Sequence, residues 1–207
     1  MDTLKGHLLV VEDVPDTLQM LDVALTFKGY RVVTARDGLQ ALEAIQKERP
    51  ALIITDILMP RMDGFSLAHR LRVNPEMRTI PIVFLSATYV APEDKQFASA
   101  IGVTRFIEKP ISIEDLLQTI SELLAHSVPD SKPLNTERFF VEYRKRLEAK
   151  LKQKVTQIAR NESMLNTLSD VEKPAFRASL RSMVEERDEI QLLLDQLRNL
   201  QDDAGRK

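Results

Sequence analysis

Short apolar runs alternate with amphipathic stretches over about the first 125 residues of the chain. In the amphipathic stretches the apolar residues recur every three or four positions, which predicts helices, whereas the short runs of β-forming residues predict buried strands. The five predicted strands begin near His7, Tyr30, Leu52, Ile80 and Thr104. Strict alternation of strand and helix is typical of a doubly wound parallel sheet. We therefore predict an α/β fold with five parallel strands for this part of the chain.

Residues that favour turns and helix caps separate these elements. Pro15 opens the first predicted helix and Gly29 closes it. Asp37 stands where it can cap the second helix, and Ser112 with Asp115 has the spacing of a capping box for the fifth. The capping and turn residues therefore predict the same helix boundaries as the apolar periodicity does.

The pattern changes after residue 126. Residues 127–135 are mostly polar and include two prolines, so we predict a linker there. Residues 136–203 contain no glycine and a single proline, and they are rich in helix formers. The capping-box spacing of Ser169 and Glu172 predicts a break between two long helices. We predict an α/β domain at 1–126, a linker at 127–135 and a helical module at 136–203.

Each of the two predicted long helices carries a narrow apolar stripe. The first stripe consists of Phe140, Tyr143, Leu147, Leu151, Val155, Ile158 and Leu165. The second consists of Phe176, Leu180, Met183, Ile190, Leu194 and Leu197, with Arg187 and Gln201 in the same register. Helices of roughly 30 residues are about 45 Å long. We expect them to pair as an antiparallel hairpin or coiled coil and to bury their remaining apolar edge on a second copy or on another protein.

Composition and charge narrow the class of protein. A chain of 207 residues with 43% apolar and 29% charged residues is typical of a globular protein with two units. The formal net charge of -2 gives no sign of general nucleic-acid affinity. There is no cysteine, which excludes disulfides and thiolate chemistry. No apolar run is long enough to span a membrane, so we expect a cytoplasmic protein without a membrane partner.

Candidate chemistry lies at the predicted ends of the strands. The apolar run at residues 52–55 ends in Asp56, which is followed by Pro60 and the turn pair Asp63-Gly64. Other polar residues follow the first, fourth and fifth strands, namely Glu12, Asp13, Ser86 and Lys109. The carboxyl ends of parallel strands meet at one edge of the sheet, where ligands bind in open α/β folds. We expect these side chains to share a crevice.

These residue types suit phosphoryl transfer. Three neighbouring carboxylates repel one another unless a cation binds, and an all-oxygen set with open positions suits Mg²⁺. A metal, an ammonium group and a hydroxyl that converge on an aspartate could support attack of that aspartate on a phosphoryl group. Taken singly, each residue also fits an ordinary role as a surface lysine, a turn serine or a loop acid. Their joint placement favours a site with Asp56 as the nucleophile.

The same residues resemble the receiver domain of two-component response regulators. The resemblance rests on Glu12-Asp13, Asp56 in the context Asp-Ile-Leu-Met-Pro-Arg-Met-Asp-Gly, Ser86-Ala87 and Lys109-Pro110. It covers residues 5 to about 126. It implies a flavodoxin-like fold with strand order 2-1-3-4-5 and phosphorylation of Asp56 by a sensor histidine kinase. Such a domain assists only its own phosphorylation and dephosphorylation, so we expect no enzyme acting on an external substrate.

The resemblance also assigns roles within the site. It implies that Mg²⁺ is held by Asp13, Asp56 and the Leu58 carbonyl, with Glu12 acting mainly through water. It further implies that Ser86 would hydrogen-bond the phosphoryl group and that Lys109 would pair with it. The resemblance also assigns switch roles to these two residues, to Pro110, which would follow a cis peptide bond, and to Phe106, which would be a rotating aromatic side chain. Phe106 stands where tyrosine is frequent in the family. Because it lacks a hydroxyl, it could move inward without a hydrogen-bond partner.

Two hypotheses remain for residues 136–203. In the first, the helical module forms a homodimer or binds a protein partner, and the receiver domain controls it. In the second, the chain is a transcription regulator whose C-terminal helices bind DNA. From Ser127 onward there are 16 basic and 14 acidic residues, a balance that argues against a nucleic-acid partner. A phosphotransfer hairpin needs a histidine, and none follows His126.

Overall fold

The computed structural model describes residues 6–86, 91–125, 134–165, 169 and 172–204. The chain divides into two compact units, residues 1–136 and 137–207. Most of the predicted linker at 127–135 lies outside the described residues, so that linker remains a prediction. No helix among the residues that the structure describes is long and apolar enough to cross a membrane.

The first unit contains a five-stranded, all-parallel sheet. Its strands are β1 (Leu8–Val11), β2 (Val32–Ala35), β3 (Leu52–Asp56), β4 (Ile82–Ser86) and β5 (Arg105–Glu108). Its helices are α1 (Pro15–Phe27), α2 (Gly38–Lys47), α3 (Gly64–Val73), α4 (Pro92–Ala100) and α5 (Ile113–Ala125). The strand order is β2-β1-β3-β4-β5, and every neighbouring pair is parallel. This confirms the predicted doubly wound, flavodoxin-like α/β fold.

The three inner strands carry the core. Every residue of β1, β3 and β4 is buried, whereas β2 and β5 at the sheet edges are partly exposed. Helices α1 and α5 cover one face through Leu21, Leu25, Leu116 and Ile120, all fully buried. Continuous apolar strands are expected in a parallel sheet that is covered on both faces. Phe27, an apolar residue of the first predicted helix, is 85% exposed and lies outside this core.

The predicted caps are present. Asp37 accepts hydrogen bonds from the backbone N–H groups of Leu39 and Gln40, at 2.8 and 3.0 Å, and so caps α2. Gly29, after the end of α1, has a φ of 89°, a left-handed conformation that glycine adopts without a Cβ penalty. The Asp115 N–H donates to the Ser112 hydroxyl at 3.3 Å before α5. These local signals set where α2 and α5 begin and where α1 ends.

The second unit contains α6 (Thr136–Leu165) and α7 (Lys173–Ala204), which pack together. Lys154 forms an ion pair with Glu186 at 2.7 Å, and Asn161 contacts Met183 at 3.0 Å. Along α6 from Lys154 to Asn161, the contacting residue on α7 moves back from Glu186 to Met183. The two helices therefore run antiparallel, as predicted. The buried positions between Tyr143 and Leu197 are Tyr143, Leu147, Ile158, Ile190, Leu193, Leu194 and Leu197.

The apolar stripe of α6 differs in register from the prediction near its start. Phe139 is buried at 1% exposure, and its ring centroid lies 5.4 Å from that of Tyr143, four residues later on the same face. The predicted member Phe140 is only partly buried, and Val155 is 49% exposed. The predicted break between the two long helices lies partly outside the described residues, since 166–168, 170 and 171 are not described. Glu172 accepts a hydrogen bond from the Ser169 N–H at 3.1 Å, just before α7.

Candidate functional site

Three carboxylates meet at the carboxyl edge of the sheet. Glu12 and Asp13 directly follow β1, and Asp56 ends the neighbouring strand β3. One carboxylate oxygen from each residue lies within 4.8 Å of the other two. Glu12 is fully buried and Asp56 is 7% exposed. The buried strands therefore deliver three like charges to one small volume.

Lys109 lies against this cluster. The residue follows β5, and its backbone N–H donates to the Ser86 carbonyl at 2.9 Å, which ties it to the end of β4. Its Nζ atom is 2.8 Å from Oδ1 of Asp56 and 2.9 Å from Oε2 of Glu12. One ammonium thus contacts two of the three carboxylates, and the group as a whole retains an excess of negative charge.

The pKa values of the cluster reflect burial and mutual repulsion. Burial raises the pKa of Asp56 to about 6, and the carboxylates of Glu12 and Asp13 add to this rise while Lys109 opposes it. Burial also raises the pKa of Asp13 above its ordinary value. Burial disfavours the charged amine of Lys109, but Asp56 and Glu12 more than offset this and raise its pKa. A bound cation would relieve the crowding of negative charge at Asp56.

Ser86 and the loop after Asp56 complete the site's surroundings. In the β3–β4 pairing Asp56 stands opposite Leu85, so buried Ser86 is one position farther along the same edge. The Leu58 N–H donates to Oδ2 of Asp56 at 3.1 Å. Gly64 closes the loop by donating its N–H to the Ile57 carbonyl at 2.9 Å. A Cβ on Gly64 would lie 2.4 Å from the Asp56 carbonyl oxygen, so the close approach requires glycine.

The two remaining predicted switch residues lie on and after β5. Phe106 is partly buried, its ring centroid 6.4 Å from that of Phe84, and Nζ of Lys95 lies 5.8 Å from the centre of its ring. The peptide bond between Lys109 and Pro110 is cis. The structure therefore places the site residues named from the sequence at the carboxyl edge of the sheet or in its loops, except Phe106, which lies within β5, two residues before the strand ends.

Sequence reasoning missed one contact beside the site. Arg61, in the loop between β3 and α3, forms an ion pair with Asp37, which the sequence identified only as a helix cap. Arg61 has a φ of 64°, a left-handed conformation in which an arginine is uncommon. A glycine or an asparagine at position 61 would have signalled this conformation, whereas arginine does not.

The donor set fits magnesium. The three clustered side chains offer only carboxylate oxygens, the ligands preferred by Mg²⁺, and their burial makes the excess negative charge costly without a cation. The Leu58 carbonyl lies in the adjoining loop. Glu12, Asp13, Asp56 and Leu58 are therefore the residues that could hold the ion.

Known families and structures resemble the first unit. The family model described as the response regulator receiver domain matches residues 8–121. The chain is 35% identical over 132 residues to an uncharacterized 14.6 kDa protein in the sodA1 3'region of Leptolyngbya boryana, a match that covers 63% of this chain and 100% of that protein. It is 38% identical over 125 residues to the transcriptional regulatory protein GlrR of Escherichia coli (strain K12), which covers 60% of this chain but spans only 27% of GlrR.

A solved structure shares the fold. The receiver domain of the sensor histidine kinase PA1611 from Pseudomonas aeruginosa PAO1 is 26% identical, with a TM-score of 0.54 over 58% of this chain and 98% of that one. That structure is described as having a magnesium ion coordinated in the active site cleft.

Proposed function

The chain belongs to the response regulator receiver domain family, and we propose that it acts in a two-component system by accepting a phosphoryl group from a sensor histidine kinase on Asp56. The observation that carries this proposal is the position of Asp56: a buried carboxylate at a strand end, in contact with Lys109 and clustered with Glu12 and Asp13. No other carboxylate of the described residues joins such a cluster.

The proposed transfer uses a carboxylate oxygen of Asp56 as the nucleophile. That oxygen attacks the phosphorus of the donor, the phosphorus–nitrogen bond of the phosphohistidine breaks, and its electron pair stays on the imidazole nitrogen. The product is an acyl phosphate on Asp56. The Lys109 ammonium, already 2.8 Å from Asp56, would neutralise charge that the phosphoryl oxygens bring, and the Ser86 hydroxyl would donate a hydrogen bond to one of them.

We propose that Glu12, Asp13, Asp56 and the Leu58 carbonyl hold Mg²⁺, directly or through water. When bound, Mg²⁺ supplies positive charge that offsets the three carboxylates and the incoming phosphoryl oxygens. The carboxylates would hold the ion beside Asp56, and the burial of Glu12 and Asp56 keeps bulk water from screening its charge. The magnesium-containing relative from Pseudomonas aeruginosa supports this assignment.

We propose that Ser86, Phe106, Lys109 and Pro110 carry the change from the phosphorylation site to the rest of the receiver. The Lys109 N–H donates a hydrogen bond to the Ser86 carbonyl, so movement of either residue toward a phosphoryl group would displace the other. Phe106 lies on β5, three residues before Lys109, and its side chain is only partly buried.

A phosphorylation assay with a small donor tests the site. The full chain would be incubated with acetyl phosphate, with Mg²⁺ or with a chelator, and its intact mass measured. We expect one phosphoryl group per chain in the presence of Mg²⁺ only, and none in Asp56→Asn. Equal labelling of wild type and Asp56→Asn would overturn the assignment.

We propose that α6 and α7 form the output, as a homodimer or as a binding surface for a protein partner within residues 136–203. Supporting this, four apolar side chains of these helices are about half exposed even though the helices pack on each other. They are Val141, Val155, Met164 and Leu192. Side chains of this kind gain free energy when a further surface covers them.

Light-scattering mass measurements distinguish the possible outputs. The chain would be measured in Mg²⁺ with and without beryllofluoride, a phosphoryl mimic, and Asp56→Ala would serve as the control. A mass that doubles from 23.6 kDa only on activation indicates a phosphorylation-driven dimer. A dimer under every condition indicates a standing dimerisation element, and a monomer throughout directs the search to a different protein partner.

Transcription control is the second candidate, favoured by the name of the relative GlrR. In this case the C-terminal helices would bind DNA. The near balance of 16 basic and 14 acidic residues from Ser127 onward and the two long helices favour the interaction module instead. Binding to duplex DNA that weakens steeply with salt would support the transcription regulator.

A further inference from the structure

The loop between β3 and α3 has an unusual conformation at Arg61. Its φ of 64° makes it the one non-glycine residue with positive φ in the part of the chain that the structure describes. The Met62 N–H donates to the Pro60 carbonyl at 2.7 Å, so Arg61 lies at the centre of a three-residue turn. A conformation that an arginine rarely adopts persists only where surrounding contacts hold it.

The contact that holds Arg61 is Asp37. The guanidinium of Arg61 donates to Oδ2 of Asp37, a side chain that is fully buried. The other oxygen, Oδ1, is occupied by the cap of α2. Asp37 therefore joins the start of α2 to the loop that carries Leu58. Arg61 itself is about half exposed, so it reaches over the surface to this buried acid.

A second contact fixes the same two segments. The Gly38 N–H donates to the Met62 carbonyl at 3.0 Å. A Cβ on Gly38 would lie 2.6 Å from Cγ of Met62, so only glycine permits this approach. Met62 is itself buried at 2% exposure. The tip of the loop is thus anchored to the β2–α2 junction, while Gly64 anchors its base beside Asp56.

We propose that Asp37 and Arg61 form a positioning pair that sets the affinity of the site for Mg²⁺. The inference rests on the proposed function, in which the Leu58 carbonyl is a metal ligand. Leu58 lies between the anchored base and the anchored tip of the loop. Loss of the Arg61–Asp37 contact leaves the tip held by the Gly38–Met62 hydrogen bond alone, and this loosening allows the Leu58 carbonyl to move. Neither Asp37 nor Arg61 touches the metal or the phosphoryl group.

The direction of the effect separates positioning from simple electrostatics. Arg61 is a cation near a cation site, so its removal would tighten Mg²⁺ binding if only its charge mattered. Loss of a positioning contact weakens binding instead, typically by tenfold or more for groups that orient metal ligands. The sign of the change is therefore diagnostic.

The experiment is a calorimetric titration of the full chain with Mg²⁺ alone. Arg61→Gln removes the ion pair at a half-exposed position, and Asp37→Asn keeps the Oδ1 cap while removing the charge. We expect each variant to raise the Kd for Mg²⁺ about tenfold. We expect the double variant to be no worse than either single one, because the two residues act through one contact.

The pair of Arg31 and Glu48 provides the matched control. These residues join the start of β2 to the end of α2 through hydrogen bonds of 2.8 Å and less, but at the opposite edge of the sheet from Asp56. Arg31→Gln should leave the Kd for Mg²⁺ within twofold of wild type. Arg61→Lys, which keeps a cation in reach of Asp37, should recover part of the lost affinity.

Three outcomes would overturn the inference: unchanged Mg²⁺ affinity in Arg61→Gln, tighter binding, or losses that add in the double variant. If Asp37→Asn does not fold, Arg61→Gln and Arg61→Lys decide the question by themselves. A wild-type chain that binds no Mg²⁺ would instead overturn the proposed metal site, and this inference with it.

Discussion

The Nζ atom of Lys109 lies 2.8 Å from Oδ1 of Asp56, across the carboxyl edge of the sheet. The same amine lies 2.9 Å from Oε2 of Glu12, so one cation serves two buried carboxylates. Because β1, β3 and β5 each deliver one of these groups, the contact depends on the order of the strands and not on any local sequence pattern.

Loss of this amine should destabilise the metal-free protein. Lys109→Met leaves Asp56 and Glu12 buried without their cation, and we expect the free energy of unfolding to fall by about 2 kcal/mol in a chelator, less than for a fully buried pair because Lys109 is 23% exposed. Guanidinium chloride unfolding measures the change. Lys109→Arg keeps the charge and should lose less. Equal stability of wild type and Lys109→Met would contradict the role of the ion pairs.

The stability of the metal-free protein should depend on the protonation of Asp56. Folding raises its pKa from 3.8 to about 6, so the folded state binds the proton more tightly than the unfolded state does. The stability that protonation contributes is therefore complete below pH 4 and is lost as the pH rises through about 6. At neutral pH the ionised carboxylate costs at most about 3 kcal/mol.

Asp56→Asn should accordingly be more stable than wild type at pH 7, with a gain that shrinks toward pH 4. Unfolding curves of both proteins in a chelator, at a series of pH values, measure this difference. Titrating groups outside the cluster are shared by the two proteins and cancel in the difference. A stability difference that does not vary with pH would show that burial does not perturb the Asp56 carboxyl.

A charge should lower the stability of the helical hairpin at a buried position but not at an exposed one. Leu194 is 2% exposed and Leu192 is 49% exposed, although both belong to α7. Leu194→Asp buries an unpaired carboxylate, and we expect it to lower the stability of the hairpin by about 3 kcal/mol or more. Leu192→Asp should change it by less than about 1 kcal/mol. Circular dichroism during thermal unfolding measures both.

The receiver should function without an intact hairpin. We expect Leu194→Asp to accept a phosphoryl group from acetyl phosphate at the wild-type rate, because the carboxylate cluster lies within the first unit. If Leu194→Asp abolished phosphorylation as well as hairpin stability, the two units would not be separable in the way that we propose.

The sequence predicted the sheet because its signals are local. Apolar runs identified β1, β3 and β4, and Asp37 could be assigned as a cap from its position before α2 alone. Strand order then brought Asp56 and Lys109 to one edge, which the rule for parallel sheets anticipates. The resemblance to receiver domains supplied the order itself, which periodicity does not encode.

Features that depend on distant contacts escaped prediction. Arg72 near the end of α3 is 1% exposed, and its Nε donates to the Gly102 carbonyl at 2.8 Å. Gly102 makes room for it, since a Cβ there would lie 2.8 Å from that nitrogen. The pairing of Arg61 with Asp37 and the burial of Phe139 instead of Phe140 are of the same kind. Residue type and spacing alone predict an exposed side chain for Arg72, and they do not identify the partner of Arg61 or choose between Phe139 and Phe140.

The most direct test of the account locates the phosphoryl group. The full chain would be phosphorylated with acetyl phosphate and Mg²⁺, treated with borohydride, which reduces an acyl phosphate to an alcohol, and mapped by peptide mass spectrometry. We expect Asp56 alone to be converted to homoserine, and only in samples that contained Mg²⁺. Conversion at Asp13 or Asp63 with Asp56 intact would contradict it.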